Sequence, residues 1–219
     1  MKASYNLNSD LGRKAAIADY LTTKPRVNSY LVTYRRYFYD NGDCDGYTPE
    51  YFKEFSDEQV AIIRELFAQA DEIGEDFTFL LDEDTTGKYK FLEQEVDGYG
   101  QWYLAPESID LNTVYHRYTF KIAIFYKGVD APATVRDVRF NFSDEEYSVL
   151  LDWKIRNLRS GFNFLRVSAP ELYKMLCDRF DNCFTSGDHQ PFYAPTYAVE
   201  MTEIEEDAKM IIEKYGGNC

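Results

Sequence analysis

The chain has 219 residues, 45 % of them hydrophobic, and a formal net charge of −14. That length suits one ample domain or two small ones, and the apolar share is ordinary for a globular protein. The acidic balance argues against direct nucleic-acid binding, which needs a basic footprint, and no stretch approaches the roughly 20 apolar residues of a membrane helix.

In chain order, Ser9 is placed to cap a short helix with Leu11, Ala15, Ala18 and Leu21 on one face, ended by the Lys24-Pro25 step. Residues 28–39 alternate as a β-branched and aromatic strand. Asp40 to Pro49 reads as a loop. Within it Asn41, Asp43, Asp45 and Gly46 match the first positions of a calcium-binding loop. The twelfth position, where a bidentate Glu belongs, is Phe52, so the pattern is not an EF-hand. A looser Ca2+ site is one reading; a polar turn built from Asp and Gly for backbone reasons is the other.

Ser56 and Gln59 form a capping-box pattern, flanked by a Phe55/Val60 staple. The helix they open carries Val60, Ile63, Phe67 and Ala70 on its buried stripe and ends at Gly74. Phe77, Phe79 and Leu81 then alternate with Thr78 and Leu80. With the turn at Thr86-Gly87-Lys88 and the segment from Tyr89 to Val96, this reads as a hairpin with an acidic tip.

The second half repeats these elements. Phe120, Ile122, Ile124 and Tyr126 alternate along a strand expected to be covered on both faces, followed by a return strand through Val138, Phe140 and Phe142. Ser143 and Glu146 box a helix running to Gly161. Ser168 and Pro170 open another, and Thr202 with Glu205 a last one after a short strand from Tyr197 to Met201. Phe55-Ser56-Asp57-Glu58 recurs as Phe142-Ser143-Asp144-Glu145. An internal ββα duplication, with units at 28–100 and 114–184, fits this recurrence; so does convergence of two capped helices on the same favourable residues. The expected fold is a single α+β domain over 1–219: an antiparallel sheet with about five helices.

The four cysteines, Cys44, Cys177, Cys183 and Cys219, contain no C-x-x-C pair and no disulfide framework. No apolar run follows Met1-Lys2, so no secretory leader is expected, and the reducing cytoplasm is the expected setting, with assembly into a virion as one variant. Nineteen Tyr and 16 Phe suit an aromatic-rich sheet or a binding interface.

Catalytic patterns are sparse. His116 lies in a strand-like run and His189 in a polar loop, with no G-x-S-x-G elbow, Walker loop or zinc spacing near them. No cofactor is expected. The most informative feature is the placement of charge. Residues 40–100 hold 18 Asp/Glu against four Lys/Arg, which accounts for the whole imbalance. A field of one sign favours a basic partner or a neighbouring subunit. Asp82, Glu83, Asp84, Glu93, Glu95 and Asp97 are the candidate partner-binding acids. Arg156 and Arg159, in a locally basic segment, are the candidate counter-surface on another copy.

The expected function is a non-catalytic protein–protein interaction protein, a structural subunit of a larger assembly such as a virion or connector component. Its partner would be another protein or further copies of itself, with no membrane and no direct nucleic acid. Two alternatives stand beside it: an acidic inhibitor mimicking nucleic acid in the basic groove of a nuclease or DNA-binding protein, and a hydrolase using His189 or a carboxylate pair.

Overall fold

The computed structural model describes residues 4–38, 44–47, 51–95, 102–125, 132, 134–182 and 196–216. The fold is α+β, with an antiparallel sheet. It packs as two compact units: a continuous unit, Val27–Tyr115, and a split unit made of Met1–Arg26 and His116–Cys219.

In the continuous unit, strand β1 (Asn28–Phe38) pairs antiparallel with β2 (Cys44–Tyr47) and with β3 (Tyr51–Glu54). Ser29 faces Glu54 and Val32 faces Tyr51; further along, Arg35 faces Tyr47, with a bulge between Arg36 and Tyr37. Helix α2 (Asp57–Ile73) follows, then α3 (Phe77–Asp82), a 3-10 turn at Lys90–Leu92, and the short strand β4 (Gln94–Glu95). β4 pairs with the start of the long strand β5 (Trp102–Phe125), placing Gln94 opposite Leu104. Tyr30, Val32, Tyr34, Phe55, Ile63, Leu66 and Leu92 form this unit's core.

In the split unit, β5 ends between β6 (Thr134–Ser143) and β7 (Thr196–Glu200), with Ile122 opposite Val199. Helices α1 (Asp10–Thr23), α4 (Asp144–Arg156), α5 (Phe162–Ser168), α6 (Pro170–Asn182) and α7 (Thr202–Tyr215) complete it. Its core joins Phe120, Ile122, Phe140 and Phe142 of the sheet to Leu150, Phe180 and Ile211 of the helices.

The capping boxes at Ser56/Gln59 and Ser143/Glu146 both form, each with the reciprocal pair of hydrogen bonds. Ser9 caps α1 through the Gly12 amide. Thr202 does not cap α7. Met201 holds that position, and Glu205 pairs with Lys154 and Lys209 instead of reaching back. The buried face of α1 is Ala16, Ile17, Tyr20 and Leu21 with Arg13; of the expected stripe Leu21 is buried and Ala15 half-buried, while Ala18 is exposed and Leu11 is 80 % exposed. Arg13 and Tyr20 are polar at their tips, and each is buried against an acid, Asp152 and Asp207.

The described residues contain seven α-helices rather than about five. One addition is α5. The other replaces the expected hairpin at 77–96. Phe77, Leu80 and Leu81 sit at helical spacing and pack on the core, so α3 wins over the two-residue alternation. Asp76 caps α3 through the Thr78 amide, and Phe77 meets Phe67 of α2 at 5.1 Å between ring centroids. Two further corrections concern strands. Cys44–Tyr47 of the expected 40–49 loop is β2. β5 buries one face only, through Tyr118, Phe120, Ile122 and Ile124, while Arg117, Thr119 and Lys121 are exposed.

Candidate functional site

Two groupings of polar side chains invite a functional reading, one in each unit. In the split unit, α7 carries Asp207, 4 % exposed, on the same face as Ile204, Ala208 and Ile211. Its carboxylate accepts hydrogen bonds from Tyr20 Oη at 2.6 Å, Tyr147 Oη at 2.7 Å and Lys24 Nζ at 2.5 Å. Lys24 also lies 3.5 Å from Glu203 and over the rings of Tyr118 and Tyr147. Those rings stack at 3.7 Å with 14° between planes. Burial raises the pKa of Tyr20, Tyr118 and Tyr147 above the ordinary phenol value, and the Asp207 carboxylate reinforces the rise. Arg26 donates to Asp144 and to the Leu21 carbonyl, and His116 Nε2 stands 3.5 Å from Asp144. This network joins α1, β5, α4 and α7. Its charges are paired and the Asp207 carboxylate is met by three donors, which is the arrangement of a structural staple, although Tyr118 Oη and Arg26 Nε are buried without a hydrogen-bond partner among the described residues.

In the same unit a cavity of about 770 Å³ is lined by Tyr5, Leu7, Arg13, Ile155, Arg156 and Ile212, among others. Both arginines pair with Asp152, Arg13 at 2.6 Å and Arg156 at 2.8 Å, and Arg13 pairs with Asp10 as well at 3.1 Å.

The continuous unit is different. It holds 20 Asp/Glu against six Lys/Arg, a net −14, so the split unit is neutral. The charge asymmetry read from the sequence therefore coincides with a structural division. Asp57, Glu58, Asp71, Glu72, Glu75, Asp76, Asp82 and Glu83 are all exposed. Of the expected partner-binding acids, Asp82, Asp84 and Glu93 line one cavity of about 380 Å³ together with Lys90. Asp84 serves the turn itself. Its carboxylate accepts from the Tyr89 amide at 2.8 Å, the Thr86 hydroxyl at 2.7 Å and the Thr86 amide at 3.0 Å, and these bonds pull its pKa down to about 2. Lys53, one of the six cations, is spent internally: it donates to the Phe91 and Leu92 carbonyls at 2.9 and 3.2 Å beneath the rings of Tyr34 and Phe55.

Glu95 lies in β4, and Asp97 falls outside the described residues. Of the calcium candidates, Asp45 lies in β2, while Asn41 and Asp43 are outside the described residues. No group of three or more His, Cys, Asp or Glu suited to a metal occurs among the described residues. His189 is likewise outside them. On the basic side, Arg156 is exposed but held by Asp152, Lys154 is buried against Glu205 and the Ser160 carbonyl, and Arg159 is exposed in the turn after α4. Comparison with family models, with curated proteins and with solved structures finds no match for this chain.

Proposed function

We propose that this chain is a non-catalytic protein-binding subunit of a larger assembly, docked through its acidic continuous unit onto a basic surface of a different protein. The observation that carries this reading is the segregation of charge: −14 on one compact unit and zero on the other. A field confined to one unit orients an encounter as well as accelerating it. We favour a different molecule as the partner because Arg156 and Lys154 of the basic segment already pair with the chain's own acids, Asp152 and Glu205. Two continuous units also repel one another.

The test has two parts. Light scattering on the purified chain at low and high salt is expected to give one copy at both; a polymer that dissolves with salt would make the partner another copy and overturn the heteromeric form. Affinity capture from the chain's own source cells at low salt, followed by a salt gradient, is expected to release a basic protein as the Debye length shortens. The double reversal Asp82→Lys, Glu83→Lys is expected to weaken that complex about tenfold or more, which is ~1.4 kcal/mol. Retention independent of salt and of this reversal would sink the reading.

A further inference from the structure

The corner between α2 and α3 breaks an electrostatic rule that α4, α6 and α7 follow, and α1, which also lacks a basic residue in its last turn, carries no acid among its last four residues. Residues 71–84 contain seven acids and no Lys or Arg. A helix C-terminus carries partial negative charge, so acids there cost about 0.3–1 kcal/mol each and cations belong there. α4, α6 and α7 obey, with Lys154 and Arg156, Arg179 and Lys214 in their last turns. α2 has no basic residue in its last turn and places Asp71 and Glu72 there. α3 has none either, and ends in Asp82 and Glu83. Among the described residues, Asp71, Glu72, Glu75, Asp82 and Glu83 make no ion pair. Two large apolar side chains stand exposed within this run, Ile73 at 53 % and Phe79 at 46 %. The corner is built rather than frayed: Gly74 caps α2 in the left-handed region, Asp76 caps α3, and Phe67 packs on Phe77. Departures from local consistency of this kind concentrate at functional positions.

We infer that the α2–α3 corner docks a basic amphipathic segment of a partner protein, whose apolar side chains cover Ile73 and Phe79 while its Lys and Arg meet Asp71, Glu72, Glu75, Asp82 and Glu83. The inference rests on the protein-binding reading above and names the docking site and the chemistry of its occupant. Charge complementarity selects that occupant: a second copy would bring a like-charged corner, and an anionic lipid or nucleic acid would be repelled. Asp82 also lines the 380 Å³ cavity, so the charged rim continues from the corner into that recess.

The experiment uses the full chain and three fluorescein-labelled probes: a Lys/Leu peptide with helical amphipathic spacing, the same composition scrambled, and oligolysine of equal length. Anisotropy at moderate salt is expected to rank the amphipathic peptide at least tenfold tighter than either control. Ile73→Ser with Phe79→Ser, both at exposed positions, is expected to abolish that preference while leaving oligolysine binding unchanged. Glu72→Lys is expected to weaken the peptide about tenfold, and Glu58→Lys, with the same change in net charge at the other end of α2, to have a much smaller effect. Equal weakening by the two reversals, with no effect of the apolar pair, would overturn the corner while leaving a diffuse acidic docking unit standing. Failure of every basic probe even at low salt would overturn both. A mass doubled through Ile73 and Phe79 in light scattering would replace the basic segment by a second copy.

Discussion

At the scale of single residues, Asp207 shows how much one buried acid can hold. It accepts from two tyrosines on α1 and α4 and pairs with Lys24. Removing one partner of a buried charged network strands the others, at a typical cost of 3–5 kcal/mol. Asp207→Ala is therefore expected to destabilise the chain by about 3–5 kcal/mol, and Asp207→Asn by less, since an amide oxygen still accepts from a phenol. Urea unfolding reads this directly, as a lower midpoint at constant slope. The same network sets an alkaline limit. Tyr20, Tyr118 and Tyr147 have pKa values raised by burial, and Tyr34 is pushed up to about 12 by burial alone. The unfolded value is about 10, so their contribution is intact below pH ~10 and is lost as pH rises through the folded values. Tyrosinate absorbance is expected to show one class titrating normally and a second appearing only as circular dichroism reports unfolding. Coincident normal titration of all tyrosines would contradict the burial. The sequence held a legible trace of Asp207: it sits three residues after Ile204 and four before Ile211, on the apolar stripe, where a charge requires a partner. The partners' identities were not legible, because Tyr20, Lys24 and Tyr147 come from distant segments.

At the scale of elements, most of what depends on neighbours in sequence was readable, the box expected at Thr202 and Glu205 being the exception because Glu205 pairs with Lys154 and Lys209, and what depends on tertiary choice was not. The boxes at Ser56 and Ser143 and the stop at Gly74 are local chemistry, and all three form. Residues 77–81 supply apolar side chains at both two-residue and helical spacing; only packing against Phe67 and the Asp76 cap decide for α3. Likewise the face of α1 turned on the salt link between Arg13 and Asp152, 139 positions apart. Gly74 gives a test at this scale. Its φ is 74°, and nothing lies within 4 Å of where a Cβ would stand, so substitution there is purely conformational. Gly74→Ala is expected to cost ~1–2 kcal/mol of stability through the left-handed penalty, read by thermal or urea unfolding. A neutral result would show that the corner relaxes to an ordinary helix end.

At the scale of the whole molecule, strand and helix periodicities anticipated the α+β class with its antiparallel sheet, and charge anticipated the division into units. The acidic run, read as residues 40–100, falls entirely inside the continuous unit, and the Arg35, Arg36, Glu107 and Asp110 additions cancel. The boundary itself left little trace, because β5 is one strand of 24 residues whose first part belongs to one unit and whose end belongs to the other. A unit at −14 repels itself, and that repulsion weakens as the Debye length falls from about 30 Å at 0.01 M salt to about 10 Å at 0.1 M. Salt is thus expected to raise the melting temperature, by roughly 4–8 °C for each kcal/mol of repulsion relieved in a unit of this size. Glu72→Lys supplies a cation where α2 lacks one, so at low salt it is expected to melt higher than the parent chain and to lose most of that advantage at high salt. The same substitution is expected to weaken the amphipathic probe. Stability gained and binding lost in one variant would mark the corner as a place where electrostatic strain is retained for recognition. A variant that melts lower, or whose gain persists at high salt, would show instead that Glu72 is held by contacts of ordinary structural value.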